Sequence, residues 1–364
     1  MKTYKFRLYP NEKTEVRLIS HLKLCCFTYN KLLEVTKEKK LKPKDTQSFL
    51  VKLKQEYPEL KQVYAKVLQM VNHQLWSNIF ALYRKKKNGA KIGKLRYKKE
   101  NRWKILNYNQ LGFKIIKTGK RLDLLKLSKI GEIPIRINRK IDGKIKGIIV
   151  KRYPTNKWYA LVQIENISKP LSKTGKSIGI DVGIKYFLTD SEGKQIENPK
   201  FYQHTLQRIK IISREFSRKM KNSNNWKKWR LKLAKLYEKL TNQRNDFLHK
   251  LSRYYVNNYD IIAIEKLNIS NMTKNHFLAD KILDASWSKF FQYLSYKAAD
   301  AGKQILEVNP RGTSKGLTWK QKDRDYISAN RILYKGMGQP FEPVEKKPLL
   351  LIPAHAVISG KFLQ

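Results

Sequence analysis

Ile178-Gly-Ile-Asp-Val-Gly183 is the stretch on which the fold turns. A short apolar run bounded by turn residues reads as a buried strand, and Asp181 stands inside it. An ionised carboxylate on a buried strand is costly unless it is paired or bound to metal. Tyr186-Phe-Leu-Thr189 reads as the hairpin partner, before a turn at Asp190-Ser-Glu-Gly193. Two more acids share this kind of setting. Glu265 ends the apolar run Ile261-Ile-Ala-Ile264, and Asp325 precedes a helical stretch from Tyr326 to Tyr334 closed by Gly336.

Each acid alone has an ordinary structural account. Asp181 can be a satisfied hairpin residue, Glu265 can pair with a lysine such as the adjacent Lys266, and Asp325 can cap its helix. Together they suit one chemistry. Carboxylates holding two Mg²⁺ ions about 4 Å apart can activate water and stabilise the leaving oxygen of a phosphodiester.

Charge supports that chemistry. The 364 residues carry 78 Lys+Arg against 29 Asp+Glu, a net charge of +49. Such an excess implies a polyanionic partner, nucleic acid or an anionic membrane. No apolar run approaches the roughly 18 residues of a membrane span, and the longest is only Pro348-Leu-Leu-Leu-Ile-Pro353. The first ten residues have a basic end without the apolar core of a secretory signal, so no membrane partner is expected. Cys25 and Cys26 are the only cysteines; adjacent thiols suit neither a disulfide framework nor a four-cysteine zinc site, and fit a reducing cytoplasm. Neither a Gly-x-Ser-x-Gly elbow nor a phosphate-binding Gly-x4-Gly-Lys-Ser/Thr loop is present, which argues against a serine hydrolase and an NTPase.

Outward from the decisive stretch, a hydrophobic share of 41% is enough for a core, and the length suggests two or three structural units. Thr3 to Tyr9 alternate as a strand stopped by Pro10. Glu12 to Lys87 turn helical, with Leu18, Leu22, Cys25 and Tyr29, then Val67, Val71, Leu75 and Ile79, at three- and four-residue spacing. A basic run interleaved with aromatics follows. Arg84, Lys85, Lys86, Arg96, Tyr97, Lys98, Arg102 and Trp103 are candidate nucleic-acid contacts, since cations neutralise phosphates while Tyr and Trp stack on bases.

Residues 105 to 165 read as short strands of a small barrel, with Ile133, Ile135 and Ile137 on one face and Trp158, Ala160, Val162 and Ile164 on another. Asp142-Gly143 is a hairpin signal. After Lys169-Pro170 and the Asp181 hairpin come two helical stripes: Leu206, Ile209, Ile212 and Phe216, then Trp226, Trp229, Leu233, Leu236 and Leu240. Stripes of this kind suit helix–helix packing.

The chain resembles the TnpB (OrfB) proteins of insertion sequences, relatives of type V CRISPR effectors. Lys2 to Pro10 and Cys25-Cys-Phe-Thr-Tyr-Asn30 are similar to the family's N-terminal region. Gly179-Ile-Asp-Val-Gly-Ile-Lys185, Ile264-Glu-Lys-Leu-Asn-Ile269 and Asp323-Arg-Asp325 are similar to its three RuvC motifs. Gln243 to Ser252, Asp284-Ala-Ser-Trp287 and Val308-Asn-Pro-Arg-Gly-Thr-Ser314 also match, and the first of these adds Arg244, His249 and Lys250 as candidate contacts.

The resemblance implies an α/β multi-domain protein. A β-barrel wedge domain (1–10 and 93–170) would hold a helical recognition insert (11–92). An RNase H-like RuvC nuclease domain with a long helical hairpin (171–364) would follow. The implied activity is transposon-encoded, RNA-guided DNA cleavage dependent on Mg²⁺. Asp181, Glu265 and Asp325 would be catalytic metal ligands. The partners would be a guide RNA from the element's end and double-stranded target DNA, in a prokaryotic cytoplasm at the nucleoid. Delegating sequence to base pairing needs mainly a basic channel.

Two departures stand out. The family's two Cys-x-x-Cys pairs are missing near 315–323, so zinc is not expected. Ile327 stands where the family has Asn two residues after its third acid. Asp323 is an alternative third ligand. The alternative functions are a guide-binding protein that no longer cuts and an unguided transposition factor.

Overall fold

A computed structural model describes the chain except residues 40, 166, 167, 169, 319, 320, 322, 346 and 364. The change of texture at Lys169 and part of the 315–323 segment therefore lie outside the described residues. The chain divides into two units, Met1–Ile167 and Ser168–Gln364. No helix among the described residues is long and apolar enough to cross a membrane.

In the first unit, alternation makes β1 (Lys2–Leu8), with Phe6 and Leu8 buried. Helix α1 (Glu12–Glu38) starts at Asn11, whose side chain accepts the Thr14 N–H. Its expected stripe of Leu18, Leu22, Cys25 and Tyr29 is buried. Helices α2 (Pro43–Glu56) and α3 (Ala65–Lys87) pack into the same core through Leu50, Leu53, Val67, Val71 and Leu75. Strands β2 (Ile105–Asn109), β3 (Phe113–Ile116), β4 (Asp123–Leu127), β5 (Gly131–Arg136), β6 (Ile145–Arg152) and β7 (Trp158–Ile164) join β1 in one antiparallel sheet. Its order is β2-β6-β7-β1-β5-β4-β3. The sheet curls nearly closed: Tyr108 on the β2 edge donates its hydroxyl to the Ser128 carbonyl, just past β4, at 3.2 Å.

The hairpin expected at Asp142-Gly143 does not form. Strand β5 pairs with β1 and β4, while β6 pairs with β7 and β2, so the dipeptide lies in a connection between strands that are not neighbours. Gly143 does adopt φ +110°, which glycine tolerates. The turn chemistry is local, whereas pairing follows which apolar faces share the core.

The second unit opens with a meander, β8 (Ser177–Val182), β9 (Tyr186–Asp190) and β10 (Lys194–Glu197). Helices α4 (Phe201–Ser217) and α5 (Asn224–Asn258) follow, packed through Ile209, Leu236 and Leu240 as their stripes predict. Then come β11 (Ile261–Glu265), α6 (Ile269–Met272), α7 (His276–Ala285), α8 (Trp287–Ala301) and β12 (Gln304–Val308). The chain continues with α9 (Arg324–Gly336), β13 (Leu350–Ile352) and α10 (Ala354–Ser359). The sheet order is β12-β11-β8-β9-β10-β13. Strand β11 runs parallel to both β8 and β12, and β13 runs parallel to β10. Ile178, Ile180, Ile262 and Ile264 are buried in one core with residues of α5 and α8, such as Leu251, Tyr255, Phe290 and Leu294. A second cluster joins Ala263 and Val308 to Ile332 of α9.

Candidate active site

Strands β8 and β11 are parallel neighbours in register, Ala263 beside Gly179 and Ile264 beside Ile180. Side chains alternate across a sheet, so Gly179, Asp181, Ala263 and Glu265 share the face opposite the isoleucines. Helix α9 lies on that face, and it lies close. A Cβ on Gly179 would sit 2.1 Å from the Ala329 carbonyl, and one on Gly336 would sit 2.9 Å from the Ala263 Cβ. Both glycines are therefore required by the approach of helix to sheet. Asp325, Ala329 and Leu333 are spaced four apart and share a helix face, and Ala329 and Leu333 are the residues over Gly179. Asp325 thus occupies the sheet-facing stripe in the first turn of α9.

Asp181 feels both of the other acids. Burial pushes the Asp181 carboxyl up to about 8, and the carboxylates of Glu265 and Asp325 add to the rise; Arg324 and the Val182 N–H oppose it. Burial also raises Glu265, against the Thr313 hydrogen bond and the positive charge of Lys335. The neighbour anticipated for Glu265 is engaged elsewhere, since Lys266 lies 3.9 Å from Glu307. Asp325 is not the helix cap: the N-cap position belongs to Asp323, whose side chain makes no capping bond. Asp325, rather than Asp323, is the α9 acid that acts on Asp181. Ile327 is partly buried in the same helix.

Several residues that the sequence did not single out build the surroundings. Thr313 donates its hydroxyl to Glu265 Oε1 at 2.5 Å. The loop carrying Thr313 is clamped from α9. Arg331 donates to the carbonyls of Thr313 and Lys315 at 3.3 and 2.6 Å, and Lys335 to those of Asn309 and Arg311, each at 2.8 Å. Arg324 lies 3.9 Å from Asp325, and its Nε is buried without a hydrogen-bond partner. The Asn309–Ser314 stretch could be singled out by resemblance, but nothing local marks Thr313 as the partner of Glu265.

Three carboxylates with one hydroxyl form an oxygen donor set suited to a hard divalent cation. Among the described residues, no group of three or more His, Cys, Asp or Glu is already arranged to hold a metal ion. The acids are close enough to repel, and side-chain rotation would have to bring them onto a shared ion.

The basic candidates sort differently. Arg84, Lys85 and Lys86 end α3 and are exposed, as are Arg96, Tyr97 and Arg102. The Lys37 ammonium lies 4.0 Å over the Tyr97 ring. Trp103 is corrected to a core residue. It is only 5% exposed, packs 5.4 Å from the Tyr29 ring and donates its indole N–H to the Ile105 carbonyl at 2.7 Å, leaving no face for a base. Lys98 covers the Tyr29 and Trp103 rings, and its backbone bonds to the Asn30 side chain in both directions. It fastens the basic segment to α1.

Arg244 and Lys250 also have internal partners. Arg244 grips Asp284 Oδ1 at 3.0 and 2.6 Å, while Asp284 accepts the Tyr202 N–H. Lys250 binds Asp246 and the Ile358 carbonyl at 2.8 and 2.6 Å. Both are tethers, with their donors directed into the fold. His249 is exposed and stacks on Tyr293, with ring centroids 4.0 Å apart.

Three segments of the chain match known family models. Residues 159–276 match the OrfB model of the IS605 group, described as "Probable transposase". Residues 287–332 match a "Cas12f1-like, TNB domain", and residues 1–39 an OrfB "Helix-turn-helix domain". Two of these three matches are to OrfB models, at the N-terminus and across the middle of the chain, so the chain is similar to the OrfB proteins over those segments. In this chain residues 1–39 fold as one strand and one unbroken helix. The chain is 29% identical to "Putative RNA-guided DNA endonuclease InsQ" of Escherichia coli K12, over 86% of this chain and 82% of the relative. It is 28% identical to "Putative RNA-guided DNA endonuclease" of Streptomyces pristinaespiralis, over 85% and 77% respectively. A solved complex of Cas12f1 with sgRNA and target DNA is similar with a TM-score of 0.49 and 13% identity, covering 91% of this chain and 98% of that one.

Proposed function

We propose that this chain is an OrfB-type, transposon-encoded, RNA-guided DNA endonuclease. Its second unit would be an RNase H-like, RuvC-type domain hydrolysing phosphodiesters with Mg²⁺. The observation that carries the reading is the convergence on Asp181: burial and two neighbouring carboxylates push its carboxyl up to about 8. Such a shift at one end of a sheet supports reading Asp181 as a functional position. Further support comes from the order β10-β9-β8-β11-β12, an antiparallel meander continued by two parallel strands. The charge of +49 supports nucleic-acid partners. By analogy with the names of its relatives, those partners would be a guide RNA and DNA; the family resemblance adds that the guide would come from the element's end and that the target would be double-stranded.

Asp181, Glu265 and Asp325 would hold Mg²⁺, which when bound supplies a polarised water and charge neutralisation at the phosphodiester. The chain's own groups prepare for it. Asp181 must release its proton to act as a ligand. Thr313 orients one Glu265 oxygen. Arg324 puts a guanidinium beside two of the acids, its Nε 3.9 Å from Asp325, and that charge would attract a phosphate.

The test begins with RNA co-purified from the expressed protein. It is sequenced, and a plasmid carrying the matching target is offered with Mg²⁺. Cleavage at a defined position that disappears in Asp181→Ala, with RNA still bound, is the expected result. A second reading, a guide-binding protein without cleavage, draws on Ile327 at the Asn position and on the unready arrangement of the acids. Retained RNA and specific target binding without a cut would establish it instead.

A further inference from the structure

Within the first unit, α1, the 3₁₀ turn Pro58–Gln62 and the β3–β5 end of the sheet border an open cavity of about 940 Å³. Its charged lining is wholly basic: Arg17, Lys61, Lys114, Lys126 and Lys129 contribute, with no acid among the lining residues. Arg17 is partly engaged through the Ile130 carbonyl at 3.0 Å, and Lys126 reaches Glu132 only at 3.7 Å. Phe113 supplies an aromatic wall. His21, on α1 one turn after Arg17, also lines the cavity; it is 3% exposed, and its Nδ1 has no hydrogen-bond partner. A buried polar atom without a partner is uncommon in a native fold and calls for a reason. Lys129 holds a left-handed backbone, φ +69°, an uncommon conformation for a non-glycine residue.

We propose that this cavity binds one or two nucleotides. Their phosphates would rest on Lys61, Lys114 and Lys129, a base would lie on Phe113, and that base's edge would face His21. The volume is at the upper end of the roughly 300–1,000 Å³ of small-ligand sites, more than a bare anion needs. An aromatic wall beside cations is the pairing that takes bases and phosphates together. Burial and the Arg17 charge push His21 down to about 4. At neutral pH its imidazole is therefore uncharged and can exchange a hydrogen bond with a base edge without competing for phosphate. An acidic peptide would match the lysines but would leave the neutral ring and the aromatic wall without a role. The proposal does not depend on the carboxylate site.

The experiment uses the full chain freed of co-purified nucleic acid, at a salt concentration that suppresses diffuse binding. The probes are 4-thiouridine 5′-monophosphate and a trinucleotide containing 4-thiouridine, irradiated and mapped by mass spectrometry. The expected crosslink lies on Phe113 or His21. Equal capture of both probes assigns the site to free nucleotides; much stronger capture of the trinucleotide assigns it to an unpaired segment of a strand, and either supports the proposal. The triple variant Lys61→Ala/Lys114→Ala/Lys129→Ala, all at exposed positions, should bind the trinucleotide about tenfold more weakly. Its log–log salt slope should be shallower by about 1, at roughly 0.7 per neutralised phosphate for the one or two phosphates held there. His21→Phe should keep the parent slope and lose preference among bases. Crosslinks confined elsewhere, a triple variant with the parent affinity and slope, or complete displacement by equimolar inorganic phosphate would each overturn the proposal.

Discussion

Asp260 and Glu265 bracket the same strand, β11, yet their surroundings are opposite. Asp260 takes the Lys303 ammonium and the N–H groups of Thr174 and Gly175, and this holds its carboxyl down at about 2. Glu265 takes the Thr313 hydroxyl at the other end, and burial raises it. Asp181, on the adjacent strand, is raised further. One end of the strand is stitched by a buried lysine. The other gathers carboxylates without enough cation to neutralise them. The contrast shows that residue type does not tell a structural acid from a functional one; the neighbours do. The unneutralised acids lie at the carboxyl ends of parallel strands, where open α/β sheets present their ligand sites.

The largest expected effect separates the two ends by activity. Asp181→Ala or Glu265→Gln should lower cleavage by on the order of a thousandfold or more, while Asp260→Asn should stay within about threefold. Plasmid cleavage rates on folded variants make the comparison, and equal losses at both ends would break it. Gly179→Ala comes next. Its methyl would meet the Ala329 carbonyl at 2.1 Å, so α9 must lift, at a cost of about 2 kcal/mol. Chemical denaturation measures this, and a neutral result would mean that the helix does not bear on β8.

Thr313→Val, which removes the hydroxyl on Glu265, should slow cleavage about tenfold, the size of one charged hydrogen bond. Thr313→Ser should restore the rate, whereas a purely packing role would make Ser the worse replacement. The smallest effects lie in stability. Asp181 folds with its carboxyl at about 8 against an ordinary 3.8, so the folded state holds the extra proton. Without metal, stability should fall as pH rises from about 4 to 8, and Asp181→Asn should melt about 3 °C higher at neutral pH. Asp260 has the opposite sign. Its folded value of about 2 lies below 3.8, so its contribution is present above pH 4 and is lost as pH falls through 2. Melting curves across pH in chelator test both slopes.

Much of this was legible in the chain. The apolar runs at Ile178 and Ile261 specify β8 and β11, and the alternation at Thr3 specifies β1, because strand burial leaves a period in the sequence. The stripe at Leu18 specifies the buried face of α1 for the same reason. What stayed hidden depends on partners distant in sequence. Trp103 in a basic run resembles a stacking residue until Tyr29 and the Ile105 carbonyl are seen around it. Arg244 resembles a phosphate ligand until Asp284, 40 residues away, is found to hold it. The cap of α9 was displaced by two residues, because a helix start with acids at both 323 and 325 offers two equivalent local signals.

The clamp from α9 to the Asn309–Lys315 loop has a consequence for motion. Arg331 and Lys335 hold four loop carbonyls, and that loop carries the hydroxyl that steadies Glu265, while the first turn of the same helix carries Asp325. The loop contains no cysteine, and these four carbonyls are all held from one helix. Unwinding the last turns of α9 would release the loop and free Glu265 in the same event. The acidic centre should therefore open as a single cooperative unit, with the amides of α9 and of the Thr313 loop exchanging their hydrogens at a common rate.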